Sequence, residues 1–321
     1  MEKETVYKIR LGEKCMMQAL LENMLEEHRH WTQKGAVATY IPELSKQDPE
    51  ALGICVYDLT GELYHAGEWD MTFTMQSISK IVTFMCGLQD NTMDTLYKKI
   101  TVAPSSDGFN SIVNLETKNE HRPLNPLINS GAIASIELVK GKTLEEKYKR
   151  ILNMIRFLSD NPSIEVNQSV YLSEKETGDR NRALAYFMKS TGTIGSDVEE
   201  LLDAYFKLCS VEITCKDIAS IAAVLANDGK SLKDGRELMS KKICKTVKAV
   251  MTTCGLYDGS GEYAVSVGLP SKSGVGGGIM AVSPHKMGIG VCGPALDAKG
   301  NSIAGVKLLE SLSHRLELSI F

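Results

Sequence analysis

Two short stretches hold residue types that can carry out acyl transfer. In Gln76-Ser77-Ile78-Ser79-Lys80 a serine and a lysine stand three positions apart, which on a helix puts them on one face about a turn apart. The apolar run Ile81-Val82-Thr83-Phe84-Met85-Cys86 follows directly, so the pattern predicts a helix over 76–89 with Ser77 in its first turn. Unpaired N–H groups and the positive dipole end favour an anion forming there. A lysine at the edge of a desolvated pocket loses its proton more readily and can then accept one from a serine hydroxyl. The second stretch is Lys272-Ser273-Gly274 on an expected strand, followed by Val275-Gly276-Gly277-Gly278. So few side chains follow Val275 that backbone N–H groups there can come close to a ligand.

These stretches need a frame. The alternation in 52–58 and 62–67, with Thr60-Gly61 between them, predicts a hairpin just before the Ser77 helix. Apolar spacing predicts helices over 13–30, 181–189, 197–208, 215–227, 236–254 and 302–317. Strands are expected over 262–267 and 287–293, with Lys272-Ser273-Gly274 on another, and loop over 102–123 with a short element near 109–112. Thr143 and Glu146 form the pattern of a capping box for a helix to about 158. Asn129 precedes a small-residue helix; it suits an N-terminal cap and equally an amide turned into a pocket at that helix mouth. Pro42 biases Ile41 away from helix, leaving Tyr40 in an extended or turning segment, where a capped core position is the plainer reading. Glu174 and Asn181 read by themselves as surface residues, and Tyr205 as core. Strands near both ends with helices inserted between them indicate an α+β fold, with a central, mostly antiparallel sheet flanked by helices. We expect one domain over 1–321 with a helical subdomain at about 90–230.

Bulk properties narrow the function classes. The chain has 321 residues, a formal net charge of -4 and no basic stripe with interleaved aromatics, which argues against a nucleic-acid partner. No apolar run reaches membrane-span length, and the charged Met1-Glu2-Lys3-Glu4-Thr5 leads into no apolar signal core. Eight cysteines without Cys-x-x-Cys spacing read as reduced core residues of a cytoplasmic protein. The glycine run at 274–278 opens no dinucleotide-binding helix. No clustered ligands suggest a metal, and the chemistry needs no organic cofactor.

Ser-x-x-Lys followed late in the chain by Lys-Ser-Gly is the order found in penicillin-binding proteins and class A β-lactamases. The wider set of motifs resembles the serine-dependent glutaminases of the bacterial glutaminase A type, which share that β-lactamase/transpeptidase-like fold. The matching stretches are 35–42, 76–80, 125–133, 173–181, 205–210, 251–261 and 272–281. The resemblance implies hydrolysis of the side-chain amide of L-glutamine to glutamate and ammonia. It makes Ser77 the nucleophile, Lys80 its base, and Tyr257 and Tyr40 the tyrosines beside the dyad. Asn129, Glu174, Asn181 and Tyr205 grip the amino-acid head, and the N–H groups of Ser77 and Val275 form the oxyanion hole. Lys272 carries over as a motif landmark, and Ser130 stands where many relatives have alanine. The resemblance also implies a homo-oligomer, a tetramer. A β-lactamase or D-peptidase would usually require export, and a non-catalytic binding relative would have lost the dyad.

Overall fold

The computed structural model describes residues 2–105, 107–117 and 119–321, the side chains of 2–13 and 119 excepted. Seven strands are present among them: β1 (Gly53–Asp58), β2 (Leu63–Gly67), β3 (Phe73–Thr74), β4 (Glu212–Ile213), β5 (Ser271–Ser273), β6 (Gly278–Ser283) and β7 (Met287–Cys292). Five form one sheet in the order β2-β1-β7-β6-β5, with every pairing antiparallel. β3 and β4 form a separate two-stranded strip. The β1–β2 hairpin turns on Asp58, whose Oδ1 accepts from the N–H groups of Thr60 and Glu62 at 2.8 and 3.0 Å.

The two-residue period of the central strands sorts their side chains into two cores. Ile54, Val56, Ile279, Ala281, Ile289 and Val291 face one side, where they pack with Leu21 and Met24 of the helix Glu2–His28 and Leu308, Leu309 and Leu312 of the helix Ile303–Arg315. Cys55, Met280, Val282 and Cys292 face the helical side. There Gly288 and Gly290 let the helix Cys215–Ala226 lie directly on β7: a Cβ on either would come within 2.1 Å of that helix's backbone. The sheet and its inserted helices therefore form the expected α+β architecture.

The Ser77 segment departs in detail from the continuous helix expected over 76–89. A single 3-10 turn, Gln76–Ile78, precedes the α-helix Ser79–Asp90, and Gln76 holds a left-handed φ of 48°. Such backbone costs on the order of 1–3 kcal/mol and persists only where its surroundings enforce it. Residues 79–88 are all buried, with the helices Asn129–Leu138, Leu144–Ser159 and Lys241–Cys254 packed around them. Burying side chains such as Ile81, Val82, Phe84 and Met85 contributes roughly 1.5–3 kcal/mol each. That offsets the cost of taking Lys80 inside with them.

Other expectations need correction. Residues 262–267 are not a strand; Ser260–Ser266 is a helix. Tyr263 and Val267, one turn apart, are buried while Val265 is 91% exposed, so the burial period is four and not two. The later helix begins at Lys241, not 236, because the Ser240 side chain accepts from Ile243 N–H and caps it there. Thr143 caps its helix through Glu146 N–H, but Glu146 Oε2 accepts from Lys142 N–H instead of closing the box. The short element placed near 109–112 lies at Val113–Thr117. A further helix, Gln168–Glu176, is capped by Asn167 and decides the site below.

Candidate active site

Seven separate segments bring the chemistry-bearing residues to one cleft of about 80 Å³. Its lining includes Tyr40, Ser77, Asn129, Glu174, Asn181, Tyr205 and Val275. Ser77 comes from the 3-10 turn, Asn129 from the first turn of its helix, and Glu174 from the buried face of Gln168–Glu176. Asn181 and Tyr205 come from the helices Asp179–Ser190 and Val198–Cys209. Val275 stands on the turn between β5 and β6. Glycine makes that last approach possible: a Cβ on Gly274 would lie 2.8 Å from Met75 O and 3.4 Å from Ser77 N. The backbone around Val275 is thereby laid against the Ser77 turn. Among the described residues neither Ser77 N–H nor Val275 N–H donates to a backbone carbonyl.

Asn129 is not a helix cap; Ile128 holds that position without a side-chain bond. The Asn129 Oδ1 accepts from Lys80 Nζ at 2.6 Å, and its Nδ2 donates to Asn181 Oδ1 at 2.9 Å. Lys80 also reaches Leu127 O at 3.4 Å. It is 1% exposed, and burial lowers its pKa from 10.5 to about 8, with Glu174 among the groups that oppose the fall. Glu174 is itself buried and pushed up to about 7, chiefly by desolvation, while a hydrogen bond from the Gln76 side chain and the Lys80 charge pull it back. Two groups of opposite type are thus shifted toward neutrality, Glu174 on the cleft wall and Lys80 behind it, bonded to the lining Asn129.

Tyr257 stands beside Ser77 with a left-handed φ of 56°. Its hydroxyl donates to Ser273 O at 3.3 Å. Burial pushes it up to about 12, and hydrogen bonding with Ser77 holds back the rise. Lys272 lies behind it, with Nζ 4.1 Å from the centre of the Tyr257 ring and donating to Gly255 O at 2.9 Å and Ser273 O at 2.5 Å. Burial, and then the charge of Lys80, hold Lys272 well below the usual lysine range. Tyr40 is 55% exposed at the cleft mouth and not the core residue its sequence context suggested. Its phenol end nevertheless faces protein, which raises its pKa. Burial does the same to Tyr205. This is a serine with a buried lysine of depressed pKa one turn away, two free N–H groups and a buried carboxylate beside them.

The glutaminase family profile matches residues 35–321. The chain belongs to the glutaminase family. A glutaminase of Clostridium tetani is 58% identical over 306 residues, covering 95% of this chain and all of that one, and one of Clostridium botulinum is 56% identical over 305 residues with the same coverage. Among solved structures, a probable glutaminase from Bacillus subtilis complexed with 6-diazo-5-oxo-L-norleucine superposes with a TM-score of 0.87 at 37% identity, covering 95% of this chain and 97% of that one. The expected fold and family are both met.

Sequence reasoning missed several lining residues of this glutaminase cleft. Gln76 has polar neighbours in the chain, but its side chain reaches Thr74 Oγ1 at 3.3 Å and the distant Glu174. Phe109 packs its ring 4.8 Å from that of Tyr257 and its carbonyl accepts from Asn129 N–H at 2.9 Å. Arg180 Nε donates to Asn110 O at 2.9 Å, joining that same loop to the rim. The buried Cys209 also lines the cleft. Phe109 carried a weak signal, a lone aromatic in a polar loop; Gln76 and Cys209 lie in the matching stretches 76–80 and 205–210, but their residue types alone point to no role there.

Proposed function

We propose that this enzyme performs its family's reaction, hydrolysis of L-glutamine to L-glutamate and ammonia, through an acyl-enzyme on Ser77. Neutral Lys80 takes the Ser77 proton as Oγ attacks the side-chain carbonyl. The oxyanion is held by the N–H groups of Ser77 and Val275, each such donor stabilising the transition state by roughly 3 kcal/mol. The proton returns to the departing ammonia through Lys80 and Tyr257, with Tyr40 as a second positioning phenol at the mouth. Water then cleaves the γ-glutamyl ester by the reverse proton path. Glu174 faces the substrate ammonium, while Asn129, Asn181 and Tyr205 bind the rest of the amino-acid head. Asparagine, one methylene shorter, cannot hold its head there and present its carbonyl to Ser77 together.

The observation that carries this reading is the buried Lys80, three residues from Ser77, bonded at 2.6 Å to Asn129 of a cleft wall that also holds the buried Glu174, with burial lowering its pKa to about 8. A Bacillus subtilis glutaminase that is 38% identical has been solved as a covalent complex with 5-oxo-L-norleucine, formed by reaction with 6-diazo-5-oxo-L-norleucine, which supports a covalent route. We read residues 1–321 as one catalytic domain with a helical subdomain at about 90–230. A core shared between that part and one sheet face supports this. A homotetramer and a cytoplasmic location complete the proposal, the latter supported by eight unpaired cysteines, seven of them buried. Among the described residues no helix is long and apolar enough to cross a membrane. The deciding experiment measures ammonia and glutamate release from L-glutamine beside L-asparagine, with wild type and Ser77→Ala. Glutamine turnover lost in the variant is expected; turnover that survives it would overturn the role of Ser77.

A further inference from the structure

A second, larger hollow shares part of its wall with the cleft. This outer chamber, about 700 Å³, shares Tyr40, Phe109 and Val275 with the cleft and is otherwise walled by residues 34–39 and 296–300. Gly300 makes the junction close. A Cβ there would lie 3.3 Å from Val275 Cγ1 and 3.7 Å from Tyr257 Cε2, so the chamber floor touches both the oxyanion side and the phenol that serves the leaving nitrogen. Phe109, packed on the Tyr257 ring, continues the same wall. In the proposed reaction the departing nitrogen lies on the side away from the amino-acid head, and a substituent on it that runs past Phe109 enters this hollow. It therefore meets open space at this junction. Ammonia alone requires none of it.

The chamber's charges narrow the substituent. Lys299 is paired with Glu262 at 2.9 Å, and Asp297 Oδ1 accepts from the backbone N–H groups of Lys299 and Asn301, each at 2.9 Å. Lys34 is exposed and makes no ion pair among the described residues. An anionic group in the chamber thus finds one uncommitted cation.

Resting on the Ser77 reading above, we propose that the enzyme also hydrolyses γ-N-substituted glutamines, above all γ-glutamyl amino acids, with the leaving amino acid in the outer chamber and its carboxylate toward Lys34. The bonds balance as for glutamine. Ser77 Oγ forms the γ-glutamyl ester, the C–N bond breaks, the Ser77 proton leaves on the amino acid's nitrogen, and water then releases glutamate.

The test compares glutamate release from L-glutamine, N5-ethyl-L-glutamine and L-γ-glutamyl-L-alanine by the full chain, by Ala298→Trp and by Lys34→Glu. Ala298 is exposed on the chamber wall, so an indole there fills space without entering the core. We expect wild type to turn over all three. Ala298→Trp lowers kcat/KM for both substituted amides by about tenfold or more and leaves glutamine within about twofold. Lys34→Glu lowers it for γ-glutamyl-alanine alone, by roughly three- to fivefold, as suits an exposed charge pair. Turnover of glutamine without either substituted amide would overturn the inference while the Ser77 reading stood. Equal loss on all three substrates in Ala298→Trp would also overturn it. Turnover of none of the three by wild type would sink the Ser77 reading itself.

Discussion

Asn129 offers the most direct test of Lys80 as the base of the proposed reaction. Its Oδ1 accepts from Lys80 Nζ at 2.6 Å, and an acceptor favours the ammonium form over the amine. A hydrogen bond to a charged group is worth roughly 1.5–3 kcal/mol, and each pKa unit corresponds to 1.36 kcal/mol. Removing the acceptor in Asn129→Ala should therefore lower the Lys80 pKa by about one unit or somewhat more. Asn129→Asp puts a negative charge at the same contact and should raise it by a similar amount. With the wild-type value about 8, about a tenth of the enzyme holds neutral Lys80 at pH 7. The rising limb of kcat against pH is the assay, since kcat reports the complex in which the substrate ammonium keeps Glu174 ionised. We expect that limb near pH 8 in wild type, about a unit lower in the alanine variant and about a unit higher in the aspartate variant. Both variants will also bind glutamine less well, through lost contact with the head and with Asn181, but that changes KM and the plateau and not the inflection. A limb that stays put in both variants, or moves the same way in both, would refute the assignment of Lys80 as the titrating base.

Further outcomes can be checked alongside. Lys80→Met should abolish turnover and stabilise the fold, because the fall from 10.5 to about 8 corresponds to at most about 3 kcal/mol against the buried charged form. Since the folded pKa is the lower one, the unfolded chain binds the extra proton between about pH 8 and 10.5, so wild-type stability gains from this group as pH rises through that window. Urea melts at pH 7.5 and 9.5 should show the gain in wild type and lose it in the variant. Glu174→Gln should raise KM for glutamine and cut kcat/KM by about 30-fold or more, the size of a lost charge-assisted contact. It should also remove the rise of kcat/KM near pH 7 that the carboxyl's value of about 7 predicts; a limb retained there would point to another group. Gly131→Ala should cost about 3 kcal/mol or more, because its Cβ would sit 1.8 Å from Asn125 O. Chemical denaturation reads the loss, and activity should fall with it as Asn129 is displaced.

Much of the chemistry was legible in the chain, for a local reason. Ser77 and Lys80 are three residues apart, and on any helical segment that spacing alone brings them to one side. The alternation in β1, β2 and β7 likewise assigns each side chain to a sheet face without reference to anything distant. The glycines after Val275 announce a backbone that something approaches closely. Where the local pattern was ambiguous it misled. In 262–267 the apolar positions fit an alternating strand as well as a helical turn, and the choice belonged to the neighbours of Tyr263 and Val267.

The tertiary structure decided depth and partners. Glu174 and Asn181 have the composition of surface residues, yet Glu174 is 6% exposed because its helix packs against the helix Val198–Cys209 and the 3-10 turn Pro42–Lys46. Asn129 has the right type for a cap, but its amide lies between Lys80, 49 positions away, and Asn181, 52 positions away. Residue type and spacing determine which groups share a face and what protons they can trade. How far a charge is taken out of water, and which distant dipole meets it there, depends on contacts between segments that the local pattern does not encode. Desolvation is what moves Lys80 to about 8 and Glu174 to about 7, so the chain names the residues proposed for the chemistry and the packing sets the protonation that the proposal needs.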